Sequence, residues 1–338
     1  MTEDDVRAHL DALAKPRGSM GRLEEIAVRL ALTQRRIDAR SRPRRIVLFA
    51  GDHGCVADGV SAWPSAVTGM MVATILAGRA TSNALAAAHD CPLRLVDVGV
   101  AGPRPDDPPA FFRDARLAEG SASLARGAAL DAAQFDAAWQ VGVAEADRAV
   151  DEGAAVLIAG EMGIGNTTPA AALTALLTGL PADAAVGRGA GADAAMVATK
   201  GRIVADAVAR AAPLLADRPR EAIAAVAGYE IAAMAGFFAR GADRGTTLLL
   251  DGYVATSAAL IAGRLAPGSV RAMIAGHRSA EPGHAAALAH LGLDPLLDWG
   301  MRLGEGSGAL VALPLLDAAA ALLCDVARLD AIGAERAD

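Results

Sequence analysis

The stretch AAVLIAGEMGIGNTTPAAALTALL, residues 154–177, decides the fold. An apolar run stops at Gly160, a glycine-rich polar loop follows, and a second apolar segment opens at Pro169. Continuous rather than alternating apolarity predicts a strand covered on both faces. Thr167 or Thr168 is placed to cap a helix whose first residue is Pro169, a position that needs no backbone N–H. The free N–H groups and positive dipole end of such a helix start attract an anion, phosphate above all. No Gly-Lys-Ser/Thr follows, so the loop is not a Walker A motif, and an ordinary strand-loop-helix turn is the alternative.

The same grammar recurs outward from this stretch, in IVLFAGDHG (46–54), LRLVDVGVAG (93–102), TTLLLDG (246–252) and RAMIAGHRS (271–279). Helical patterns lie between them, over Val67–Leu76, Ala194–Leu214, Glu221–Phe238, Ala255–Ala262 and Glu281–His290. The alternation predicts an α/β fold: a mostly parallel sheet with helices on both faces. Ligands of such sheets bind beyond the carboxyl ends of the strands, where all these polar motifs fall. Residues 3–39 read as two helices split by KPRGSMG (15–21), and residues 311–328 as a hydrophobic helix; the two ends can pack together as a small cap. RPDDPPAFF (104–112) reads as an irregular surface loop.

Composition narrows the function classes. A chain of 338 residues with 53% apolar side chains and only 3% aromatics suits helices packed on a sheet through small residues. Its mean hydropathy is +0.32. A net charge of −7 argues against a nucleic-acid surface and for small-molecule partners. Cys55, Cys91 and Cys324 are odd in number and widely spaced, which gives neither a disulfide framework nor a CxxC site and fits a reducing cytoplasm. The acidic start MTEDDVRAHL has no apolar signal segment, and no run of sequence reads as a membrane span.

Two glutamates are wrapped in glycine, Glu161 in GEMGIGNTT and Glu305 in MRLGEGSGA. Glycine is accepted where a backbone takes positive φ or comes close to a ligand, so an acid in that setting suggests a site. Paired acids keep chemistry at an anomeric carbon in play, whereas GxSxG and nucleophilic-cysteine motifs are missing. VGRGAGAD (186–193) is a second glycine-rich loop, followed by a helix carrying Lys200. Lys15 and Lys200 are the only lysines in an arginine-dominated chain, and Lys200 is either a point charge at the anion site or a solvated helix lysine. GDHG (51–54) and GHRSAEPGH (276–284) set Asp52, His53, His277, Ser279 and Glu281 beyond strands, in no metal-ligand spacing; hydrogen bonding to a sugar or phosphate is preferred to a zinc site. In GVSAWPSAVTGMM (59–71), Trp63, Met70 and Met71 can line a flat apolar pocket for a planar ring, with core packing as the alternative for the methionines.

Taken in order, KPRGSMGRLE, AGDHG, GVSAWP, VTGMM, GEMGIGNTTPAAAL, GRGAG, AGYEIAAMAG, LLLDGY, HRSAEPGH, LGLDPLLDWGMRLGEGSGA and LPLLDAA resemble the nicotinate-nucleotide:dimethylbenzimidazole phosphoribosyltransferase family of cobalamin nucleotide-loop assembly. The resemblance covers residues 15 to about 319. It implies an α/β catalytic domain over residues 40–305, a small helical domain from 1–39 and 306–338, a homodimer, and neither metal nor organic cofactor. Glu305 matches the family's catalytic base and Glu161 an active-site glutamate that orients the ribose or the acceptor. Gly163, Gly165, Asn166, Thr167, Thr168, Lys200, Ser279 and Gly304 correspond to positions holding the ribose phosphate, with Asp52 and Asp251 as further pocket candidates. Some members carry serine and glutamine where Trp63 and Met71 stand, so a more apolar base pocket is implied here.

Overall fold

The structure, a computed structural model, describes residues 1–333. Six strands form one sheet: β1 (Arg44–Gly51), β2 (Leu93–Gly99), β3 (Phe112–Asp114), β4 (Val156–Met162), β5 (Thr247–Leu250) and β6 (Met273–Ala275). Their order is β3-β2-β1-β4-β5-β6 and every pairing is parallel. The chain builds outward from β1 to one edge, then returns to the other side at β4. The crevice for a ligand in such a sheet lies at that reversal, past the carboxyl ends.

Alternation along the strands divides the interior into two cores. Val47, Phe49, Leu157, Ala159, Leu248 and Leu250 enter one; Ile46, Leu48, Ala50, Val156, Ile158 and Leu249 enter the other. A period of two on a sheet buried on both faces produces the uninterrupted apolar runs of the sequence. The first core is closed by the helices Ala132–Asp151, Thr167–Thr178, Tyr229–Asp243 and Tyr253–Leu265. The second is closed by helices from both ends of the chain, Glu3–Asp11, Arg22–Gln34 and Ser307–Cys324, with Ala66–Leu76 and Thr81–Ala88. Ser307–Cys324 has the length and apolarity to cross a membrane, but Leu310, Leu313 and Leu316 are spent on the core.

Several elements differ from expectation. The helix expected over Glu221–Phe238 is two, Pro219–Ala224 and Tyr229–Asp243. Between them Gly228 is extended, and the chain there passes so tightly over a histidine that only glycine fits: a Cβ would lie 2.3 Å from His53 Cε1. The C-terminal helix starts at Ser307 rather than 311 and ends at Cys324. The stretch read as a surface loop leads into β3, an edge strand too short and half-buried to show periodicity.

Candidate active site

β4 continues two residues beyond Gly160, so Glu161 is a strand residue, in register with Phe49 of β1. The helix after the loop opens at Thr167 with Asn166 at its cap position, which makes Pro169 its third residue rather than its first. Neither threonine caps it. Asn166 instead turns its side-chain amide to Glu161 Oε2, tying loop to strand.

Glu305 sits in a turn with unusual backbone. Gly304, Glu305 and Gly306 have φ of 88°, 57° and 72°, three left-handed residues in succession. For a side-chain-bearing residue this costs about 1–2 kcal/mol, so the surroundings must hold it. Asp251, just past β5, accepts hydrogen bonds from the N–H groups of Gly306 (3.1 Å), Gly308 (2.7 Å) and Ala309 (3.2 Å). It thereby caps the C-terminal helix from 55 residues away. The turn also nests on β4, since a Cβ on Gly160 would lie 2.5 Å from Gly306 N. A Cβ on Gly304 would lie 2.2 Å from Glu161 Oε1, so the two glutamate segments are in direct contact. Glu305 is 4% exposed, and its Oε2 accepts a hydrogen bond from Ser82 at 2.9 Å.

Both glutamates line one cavity of about 380 Å³, with Asn166, Thr167, Asp251, His277, Ser279 and Glu281 on its polar side. Trp63, Val67, Met71, Met162, Ile164 and Leu303 make its apolar side. Although the chain reverses between β1 and β4, the cavity lies past β4, β5 and β6. The crest of β1 is filled by a buried His53–Glu230 contact of 2.9 Å.

Burial pushes the Glu161 carboxyl up to about 8, and the negative charges of Asp251, Glu230 and Glu305 add to the effect. At neutral pH it is therefore largely protonated. Beside the cavity a small cleft is lined by Gly163, Gly165, Asn166, Thr167, Arg188 and Lys200. Lys200 is 1% exposed, which removes the solvated-lysine alternative, and its ammonium donates to Thr167 Oγ1 (2.9 Å) and Gly187 O (3.0 Å). Burial lowers its pKa, opposed by the charge of Glu281. His284 is also buried. The Ser279 N–H donates to its Nδ1 and its Nε2 meets Thr256 Oγ1 at 2.8 Å, which fixes a neutral ring; burial takes its pKa down to about 3.

Of the residues singled out in the sequence, the cavity gathers Glu161, Gly163, Asn166, Thr167, Asp251, Ser279, Gly304, Glu305, Trp63 and Met71, and the cleft adds Gly165 and Lys200. Four fall elsewhere, His53 among them, held against Glu230 at the β1 crest. Met70 is 63% exposed, because Val67 and Met71 are a turn apart on the cavity side of their helix and Met70 points about 100° away. Asp52 is buried under the sheet crest, accepting from Ala101 N at 2.9 Å. Thr168 is fully buried in the helix. Ser82, Tyr253 and Arg302 also belong to the site. Tyr253 and Arg302 lie within the motifs LLLDGY and MRLGEGSGA, but nothing in TSNALAAA (81–88) marks Ser82 as more than a helix residue.

An open parallel sheet with carboxylates and a loop-to-helix start gathered at its crest defines an enzyme of nucleotide or sugar-phosphate chemistry. A family model described as phosphoribosyltransferase matches residues 1–333, and the chain belongs to that family. It is 47% identical to a nicotinate-nucleotide–dimethylbenzimidazole phosphoribosyltransferase of Thermus thermophilus, over 94% of this chain and 93% of the relative. The enzyme of the same name from Mycobacterium tuberculosis is 48% identical, over 96% of this chain and 89% of its own length. A crystal structure of CobT from Thermus thermophilus superposes with a TM-score of 0.95 at 44% identity, covering 99% of each chain.

Proposed function

We propose that this chain moves phosphoribose from nicotinate mononucleotide to 5,6-dimethylbenzimidazole or a related base, giving α-ribazole 5′-phosphate and nicotinate in cobalamin biosynthesis. The observation that carries the reading is Glu305, a buried carboxylate held by Ser82 in a cavity with one apolar side. A planar base fits between Trp63, Met71 and Leu303 with its ring N–H toward Glu305. Glu305 takes that proton while the other ring nitrogen attacks C1′ from the α face. The C1′–pyridinium bond breaks on the β face and its electron pair returns to the nicotinate nitrogen, so C1′ inverts and the leaving ring needs no acid. The carboxylates around the ribose favour its oxocarbenium-like charge, and Glu161 orients the sugar. The phosphate takes the helix start at Thr167 with Lys200. No step calls on a metal or organic cofactor.

The same reading includes a homodimer working in the cytoplasm, and a division into residues 40–305 and a helical unit from 1–39 and 306–338, of which 334–338 lie outside the described residues. Supporting the helical unit, Leu13 bridges to Arg328 and His9 Nε2 lies 3.0 Å from Leu323 O. The test is an assay with a panel of acceptor bases. Nicotinate release that depends on a benzimidazole is expected. Ribose phosphate released into water with no base present would mean a hydrolase, and binding without turnover a sensor.

A further inference from the structure

Four carboxylates line the cavity, Glu161, Asp251, Glu281 and Glu305, against a single Lys or Arg side chain, Arg302. All four are engaged with the protein through their own polar contacts: Glu161 with the Asn166 amide, Asp251 with backbone N–H groups, Glu281 Oε1 with Gly189 N at 2.9 Å, and Glu305 with Ser82. Arg302 has no carboxylate within ion-pair distance among the described residues. It donates one hydrogen bond, from Nη1 to Gly189 O at 2.8 Å, and its other N–H groups have no partner among those residues. The bond anchors the guanidinium to the glycine-rich loop, leaving an unpaired cation in a cavity otherwise negative.

A nicotinate nucleotide carries two anionic groups, the 5′-phosphate and the ring carboxylate. The cleft with Lys200, Arg188 and the helix start provides for the phosphate. The second anion is left with one counterion. Resting on the proposed function, we infer that Arg302 binds the carboxylate of the nicotinate ring and so makes the enzyme select an acidic pyridine nucleotide over its carboxamide. A planar fork of donors suits a carboxylate. The same contact retains negative charge on a group that departs from a carboxylate-lined cavity, so Arg302 positions the leaving group without touching the reacting bond.

The test is calorimetric titration of wild type, Arg302→Gln and Arg302→Lys with three ligands: nicotinate mononucleotide, nicotinamide mononucleotide, and ribose 5-phosphate, which has no ring. Loss of a charge-assisted pair should weaken the acidic nucleotide about tenfold or more in Arg302→Gln, with a smaller loss in Arg302→Lys. The other two ligands should keep their affinities within about twofold. Equal weakening of all three would put Arg302 at the phosphate or make it a loop anchor, and unchanged affinity for the acidic nucleotide would also overturn the inference. The underlying reading fails separately: wild-type protein would bind the nucleotides yet release no nicotinate when benzimidazole is added.

Discussion

The hydroxyl of Ser82 donates a 2.9 Å hydrogen bond to Glu305 Oε2, joining residues 223 positions apart. It is the only protein side chain bonded to that carboxylate among the described residues. The bond fixes one oxygen so that the other is free for the substrate.

Ser82→Ala is expected to lower kcat/KM by about tenfold to a hundredfold, since a hydrogen bond to a charged group contributes about 1.5–3 kcal/mol. The loss should fall on kcat, with KM for the nucleotide kept within about twofold, because the lost bond positions the base and not the phosphoribose. A loss carried by KM alone would assign Ser82 to packing of the pocket.

Glu305→Gln keeps the shape of the side chain and removes the base. Turnover should fall by at least about a hundredfold, the contribution typical of a positioned general base. Circular dichroism and nucleotide affinity should match wild type. A variant with near-normal turnover would exclude Glu305 as the base.

Lys200→Met fills the same buried space without charge. Losing a buried phosphate counterion should raise KM for the nucleotide about tenfold and leave KM for the base unchanged. If both constants hold steady, the lysine serves only to tie Thr167 to Gly187.

Glu161 gives a pH dependence to stability. Its folded pKa of about 8 lies above the ordinary 4.5. Between those values the folded chain holds a proton that the unfolded chain has released, so this residue's contribution falls as pH rises. Melting temperature should therefore decline less steeply from about pH 5 to about pH 9 in Glu161→Gln than in wild type. Parallel curves would mean that the carboxyl titrates as an ordinary surface acid.

Much of this protein was legible in its sequence for a local reason. Five of the six strands announce themselves because a strand buried on both faces must be apolar throughout. Glycines at 160 and 304 mark places where a Cβ would strike backbone or carboxylate, and at 306 the Ile46 side chain, so the glycine pattern itself singles out Glu161 and Glu305. What composition and periodicity could not carry was the orientation of single side chains. Met70 and Met71 are adjacent and chemically identical, yet only Met71 reaches the cavity, because one residue turns a helix through about 100°.

Short-range backbone preferences and burial pattern suffice for the parallel sheet and the two glycine-wrapped acids, and the resemblance of the motifs suffices for the family. Tertiary packing alone makes Asp251 cap a distant helix, buries Lys200 against Thr167, keeps Asp52 out of the cavity and sets Ser82 on Glu305. Those contacts join segments tens to hundreds of residues apart. Their geometry is set by how the helices pack on the sheet, and no local propensity encodes it.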